Sequence, residues 1–309
     1  MTSQGIHTID TGFVRPGFDA AYLIVHEGHA AFVDCGTNHA VPRLLQALAD
    51  ADIGVSEVDW LILTHVHLDH AGGAGELMPH LPNARLAVHP RGARHVIDPS
   101  QLWAGALAVY GQEVMEKAYG QLRPIPAERV VEAPDNFVVD LRGRPLRCLD
   151  TPGHAKHHLA VYDAQANVFF TGDTFGLSYR ELDTEQGPFT LPTTTPVQFD
   201  PAALHASINR LLALKPEAMY LTHYGRVENV EHLAVKLHEL IDAMVEVALD
   251  VGERPDRHAQ LKQALTELYA SRLAEHGWQG DRAALMHWLG TDIELNAQGL
   301  AVWLDRGSR

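Results

Sequence analysis

Cysteine is nearly absent from this sequence: Cys35 and Cys148 are the only two among 309 residues. Two thiols cannot build a disulfide framework, which excludes the small secreted scaffolds that depend on one and fits a reducing compartment. Long apolar runs are missing too. No stretch approaches the roughly 20 residues needed to cross a bilayer, so no membrane partner is expected. Basic residues are scarce, with 24 Lys and Arg against 39 Asp and Glu and a formal net charge of −15. Nucleic-acid binding draws its affinity from Lys and Arg on phosphates, so this balance argues for a small-molecule substrate and no nucleic acid. Met1 to Asp10 shows no basic stretch leading into an apolar core. No secretory signal is therefore expected, and the cytoplasm is the expected location.

What the chain does have is globular: 46% hydrophobic and 20% charged residues, in a length that suits one large domain or a domain with an appendage. Short apolar runs alternate with turn residues through the first 225 positions. Ala21 to Val25 and Ala30 to Val33 read as a hairpin around Glu27-Gly28, and Asp34-Cys35-Gly36 ends its second strand. Leu44, Leu45 and Leu48 give a helix over residues 41–51, and 99–120 reads as a further helix on the spacing of Leu102, Ala106, Val109 and Val114. Strands are expected at 60–63, 85–88, 137–139, 146–149, 159–162, 168–170 and 218–221. Asp200-Pro201 is a helix start, an N-cap acid before a proline in the first turn. After Gly225 the pattern turns helical, with Val230, Leu233, Leu237, Leu240, Ile241, Met244 and Val247 on one stripe. Two more helices follow, around Leu261–Leu273 and Ala283–Leu289. The division expected is a catalytic part over 1–225 and a helical extension over 226–309, which either completes a cleft or forms a homodimer interface.

Histidine is abundant, at 20 residues, and its placement is informative. In Thr64-His65-Val66-His67-Leu68-Asp69-His70-Ala71-Gly72-Gly73, four ligand-type side chains fall within six residues directly after an apolar strand. A strand end holds the backbone rigidly while the loop lets side chains converge, and imidazoles with a carboxylate suit zinc or iron. His154, Asp173 and His223 each follow another strand, and the carboxyl ends of strands are where an α/β site belongs. His157 and His158 lie close to His154 but are not read as ligands. Both cysteines are read as buried small hydrophobes.

Taken together, His65, His67, Asp69, His70, His154, Asp173 and His223 resemble the ligand signature of the metallo-β-lactamase superfamily, over roughly residues 6 to 225. The resemblance implies an α/β fold, the αββα sandwich, followed here by the C-terminal helical extension. It implies two divalent ions, zinc first with iron or manganese as alternatives. His65, His67 and His154 would hold one ion, Asp69, His70 and His223 the other, and Asp173 would bridge them. A hydroxide between the ions would cleave a small ester, thioester or lactone, oriented by Asp69. Asp34 stands where the family commonly supports a ligating histidine. Tyr179 and Tyr224 are the candidates for polarising a substrate carbonyl, as a tyrosine near the bridging aspartate does in the lactone-hydrolysing branch.

Other branches fit less well. The oxygen-reducing diiron branch has Glu where His67 stands, the tRNA-processing nucleases need basic surfaces, and the β-lactamases proper are exported. Glyoxalase II carries a glutathione-binding stretch after its bridging aspartate, where this chain reads Thr174-Phe175-Gly176-Leu177-Ser178-Tyr179-Arg180. Two further alternatives are a mononuclear iron oxidoreductase of the persulfide-dioxygenase type and a non-enzymatic, metal-bearing regulator. The proline- and threonine-rich segment 187–199 and the helical segment 99–120 are expected to wall the substrate cleft.

Overall fold

Alternate residues of the early strands point opposite ways, and both sets are apolar, so these strands must be covered on both faces. The computed structural model, which describes residues 4–194 and 198–307, shows how. One sheet runs β1 (Ile6–Asp10), β2 (Ala20–His26), β3 (His29–Val33), β4 (Val58–Ile62), β5 (Arg85–Val88) and β6 (Val130–Glu132), with neighbours in space following sequence order. Its first three strands are antiparallel and the rest parallel. The second sheet runs β7 (Phe137–Leu141), β8 (Arg144–Asp150), β9 (Leu159–Asp163), β10 (Val168–Gly172), β11 (Ala218–Leu221) and β12 (Gly225–Val227).

Strand periodicity divides the core in two. Ala20, Tyr22 and Ile24 of β2 join Val139, Leu146, Val161 and Phe170 of the second sheet in one buried cluster. Ala21 and Leu23 face the other way, into a cluster with Leu44 and Leu48 of α1 (Val41–Asp50) and with Ala71 and Leu77 from α2 (Leu68–Ala71) and α3 (Ala74–Leu77). Ala93 and Val96 of α4 (Pro90–Ile97) complete it. A shift of one residue in β2 would exchange its two faces, so the alternation fixes the register. Within the sandwich, Arg144 and Asp163 form a buried ion pair, and Arg144 Nη1 also donates to Gln4 O at 2.8 Å.

Residues 99–120 form two helices rather than one, α5 (Ser100–Tyr110) and α6 (Gln112–Ala118). Gly111 between them has φ +78°, outside the right-handed helical region, which ends the first helix. The side chains of Val109 and Val114, and residues 195–197 of the proline- and threonine-rich segment, lie outside the described residues.

Contacts gather the chain into two units. The first holds the chain up to Asp150, then His157–Gly172 and Pro216–Arg226, and so contains both sheets apart from Val227 at the end of β12. The second comprises Thr151–Lys156, Asp173–Lys215 and the chain from Val227 onward. Its helices are α7 (Pro201–Leu212), α8 (Val230–Val251), α9 (Arg257–Glu275) and α10 (Arg282–Gly307). Asp200 caps α7, its carboxylate accepting from Ala203 N at 3.0 Å. The stripe read from Val230 is buried along α8 up to Met244, with Val247 only half-buried, and α10 runs well past Leu289. Among the described residues no helix is long and apolar enough to cross a membrane.

Candidate metal centre

After β3 the chain turns at Asp34, which has φ +57° and is 1% exposed. Its backbone N–H donates to Ile62 O at 2.9 Å, locking it beside the end of β4. Its carboxylate then collects hydrogen bonds. Thr64 N donates to Oδ1 at 2.8 Å, while the Thr64 and Thr222 hydroxyls donate to Oδ2 at 2.8 and 3.3 Å. His70 Nδ1 lies 2.9 Å from the same oxygen. Because a carboxylate only accepts, that contact puts the proton on Nδ1 and leaves the Nε2 lone pair for a ligand.

The same device recurs at His223. Its Nδ1 donates to Phe18 O at 2.8 Å, and its Nε2 lies 3.5 Å from Asp69 Oδ2. His70 Nε2 is 4.0 Å from that oxygen, and donor atoms of Asp69, His70 and His223 all fall within 4.8 Å of one another. At His65, Nδ1 lies 3.2 Å from Thr64 Oγ1, whose own proton goes to Asp34. That arrangement turns His65 Nε2 toward His67 Nδ1, 2.7 Å away. Two imidazole nitrogens brought face to face, and an acid between two Nε2 atoms, are donor sets suited to a borderline cation such as zinc.

Close backbone packing makes this possible. A Cβ on Gly73 would sit 2.6 Å from Thr37 O, and one on Gly172 would sit 2.6 Å from His158 Nε2 and 2.8 Å from Thr64 Cβ. Only glycine fits either place.

The second unit holds its own pair. His154 Nδ1 donates to Thr193 O at 3.1 Å, and its Nε2 lies 3.2 Å from Asp173 Oδ2. Both residues are buried, at 1% and 5% exposure. The turn before His154 is held by Asp200 N donating to Gly153 O at 2.8 Å, and Thr174 Oγ1 donates to Thr151 O at 3.3 Å.

The tyrosines differ. Tyr179 is fully buried and its hydroxyl donates to Asp292 Oδ1 at 3.2 Å, within the second unit. Tyr224 is partly buried against the inter-sheet cluster. His158 is buried with its ring 4.8 Å from that of His65, and the His157 ring lies 5.5 Å from that of His67. Burial pushes the Cys35 thiol well above its ordinary range and that of Cys148 up to about 12, so both are inert small side chains.

Sequence reading missed Phe18 and Asp19. Asp19 is fully buried and hydrogen-bonded to Thr11, while its Oδ1 has no partner among the described residues. Burial raises its carboxyl to about 7, against the lowering pull of His223 and His70. No motif marks the pair. They reach His223 because Ala20 N donates to Thr222 O at 2.8 Å, a pairing across two hundred residues.

The family model described as the metallo-β-lactamase superfamily matches residues 14–223. A metallo-β-lactamase fold-containing protein of Sulfurisphaera tokodaii is 28% identical over 260 residues, spanning 82% of this chain and 90% of its own. Its crystal structure superposes with a TM-score of 0.66 over 96% of this chain and 98% of that chain, at 24% identity. A hydroxyacylglutathione hydrolase of Aeromonas hydrophila is 29% identical over 218 residues, 70% of this chain but 65% of its own length. A metallo-β-lactamase family protein of Thermus thermophilus has the same fold, with a TM-score of 0.70 at 21% identity over 98% of this chain and 94% of that one.

Proposed function

The chain belongs to the metallo-β-lactamase superfamily, and on that premise we propose that it is a dinuclear metal-dependent hydrolase of a small ester, thioester or lactone. The observation that carries the reading is the way three histidines are tied from behind. His70, His223 and His154 each have Nδ1 on an oxygen, from Asp34, Phe18 and Thr193, and each turns Nε2 toward a carboxylate, Asp69 or Asp173. Imidazoles fixed in one tautomer and one orientation are what a tight metal site requires.

In this reading His65, His67 and His154 hold one ion, Asp69, His70 and His223 the other, and Asp173 serves both. Two divalent cations there, zinc first, would lower the pKa of a bound water and polarise the electrophilic oxygen. The chain's own part is to orient and to move protons. Asp69, with 26% of its side chain exposed, is reached by solvent and would orient the attacking water as well as ligate. We assign the carbonyl-polarising role to Tyr224, which follows His223 and is partly exposed, rather than to Tyr179, which is fully buried. A small molecule is the substrate, in keeping with the acidic net charge.

The hydroxyacylglutathione hydrolase relatives suggest a thioester. Phe175, Leu177, Ser178 and Tyr179, in the place of the family's glutathione-binding stretch, are all buried within the second unit, which favours a thioester other than glutathione's. Metal analysis of Asp173→Ala, with turnover on an ester, thioester and lactone panel, tests the reading. Loss of bound metal together with at least a hundredfold loss of kcat/KM is expected; a variant that keeps both contradicts it.

A further inference from the structure

Beside His223 the chain builds an aromatic surface for which the hydrolytic chemistry alone has no use. The loop joining β1 to β2 is held at both ends by Asp10, whose carboxylate accepts from Gly12 N at 2.7 Å and Gly17 N at 2.8 Å. From this loop the Phe18 ring stands edge-on to the His223 imidazole, with centroids 5.4 Å apart and planes at 69°. Phe13 packs on Phe18 at 5.9 Å, and Tyr119 packs on Phe13 at 5.4 Å. The Arg15 guanidinium lies 5.5 Å from the Phe18 ring and stiffens the loop from another side. Tyr119 is anchored through Asn38, whose N–H donates to Tyr119 O at 3.4 Å and whose side chain donates to Gln121 O at 2.6 Å. Gln121 and Leu122 then enter the wall of a cavity of about 760 Å³ lined also by Trp103, Leu107 and Pro124.

Burial is graded along the path: Phe18 is 8% exposed, Phe13 and Tyr119 are half-buried, and Val14 at the loop tip is 66% exposed. Rings left partly in water beside a reacting centre gain most from an apolar group laid over them, and a charged or peptidic group would gain little. We propose that Phe13, Phe18 and Tyr119 form an acyl subsite, and that the substrate is an ester, thioester or lactone bearing an apolar acyl or aryl chain. The inference rests on the hydrolase reading above. Because the loop is already pinned by Asp10, the surface is preformed and chain binding needs no reordering.

The test uses the metal-loaded chain and 4-nitrophenyl esters of acetyl, butanoyl, hexanoyl and octanoyl groups. Specificity should rise with chain length, by about fourfold in kcat/KM per methylene that becomes buried. Phe13→Ala and Tyr119→Ala should each lower the octanoyl-to-acetyl ratio about tenfold, with metal content equal to the wild type. A ratio that does not depend on chain length, or that neither variant changes, overturns the subsite and leaves the hydrolase reading standing. If no ester, thioester or lactone turns over, the hydrolase reading fails, and calorimetric titration with octanoate and acetate decides the subsite alone. Tighter octanoate binding that weakens in Phe13→Ala supports it; equal binding overturns it.

Discussion

At Asp34 one buried carboxylate meets Thr64, His70 and Thr222, and no single spacing in the sequence announces that convergence. The ligand-type residues themselves were legible because each is a histidine or aspartate directly after an apolar strand. Phe18 and Asp19 were not, since their place depends on a backbone pairing between Ala20 and Thr222. Asp34→Ala removes the oxygen that sets the tautomer of His70 and leaves the Thr64 N–H unmatched. Metal affinity should fall about 10- to 100-fold, measured by competition against a chromophoric chelator, and unchanged affinity would show that His70 needs no support.

At the scale of elements, periodicity identified strands and helices well where an apolar face was uninterrupted, as along α8. It failed at residues 99–120, where one glycine at positive φ splits an otherwise helical pattern. It also gave no hint of Asn296, which sits buried in α10 with its side chain donating to Pro192 O at 3.0 Å and to the Tyr269 hydroxyl at 2.9 Å. Nor did it pair α7 with α8 through stacked His205 and His238 rings, 4.8 Å apart. His238 Nε2 donates to Asn209 Oδ1 at 3.2 Å, and His205 Nε2 lies 3.0 Å from Asp242 Oδ1. Burial, and then the charge of His205, hold His238 below its ordinary pKa of 6.5. A histidine with a depressed folded pKa stabilises the fold above its unfolded pKa, and that contribution is lost as pH falls through 6.5 and below. The fall in Tm from pH 7.5 to pH 5.5 should therefore be smaller in His238→Gln than in the wild type, as followed by thermal melts.

Across the whole molecule, composition speaks to partner chemistry through charge and says little of architecture. The charge deficit and the missing apolar runs argue for a small-molecule enzyme, whereas each sheet pairs its strands in sequence order and the layering of one on the other rests on a shared core, as where the Tyr22 ring of β2 lies 5.2 Å from that of Phe170 in β10. Arg144 illustrates the gap: in sequence it is one arginine among many, and in the fold it is buried against Asp163 and bonded to Gln4 O. Replacing it with Met strands a buried carboxylate and should cost about 3–5 kcal/mol of stability, read from denaturant unfolding.

The central claim is that one chain holds two ions and hydrolyses with them. Elemental analysis of protein purified without added metal, run beside turnover through a chelator titration, tests it most directly. Two ions per chain, with hydrolysis lost as they are stripped and regained on adding zinc, is the predicted result. Hydrolysis that persists at full metal removal, or a chain that binds no more than one ion at saturation, would contradict it.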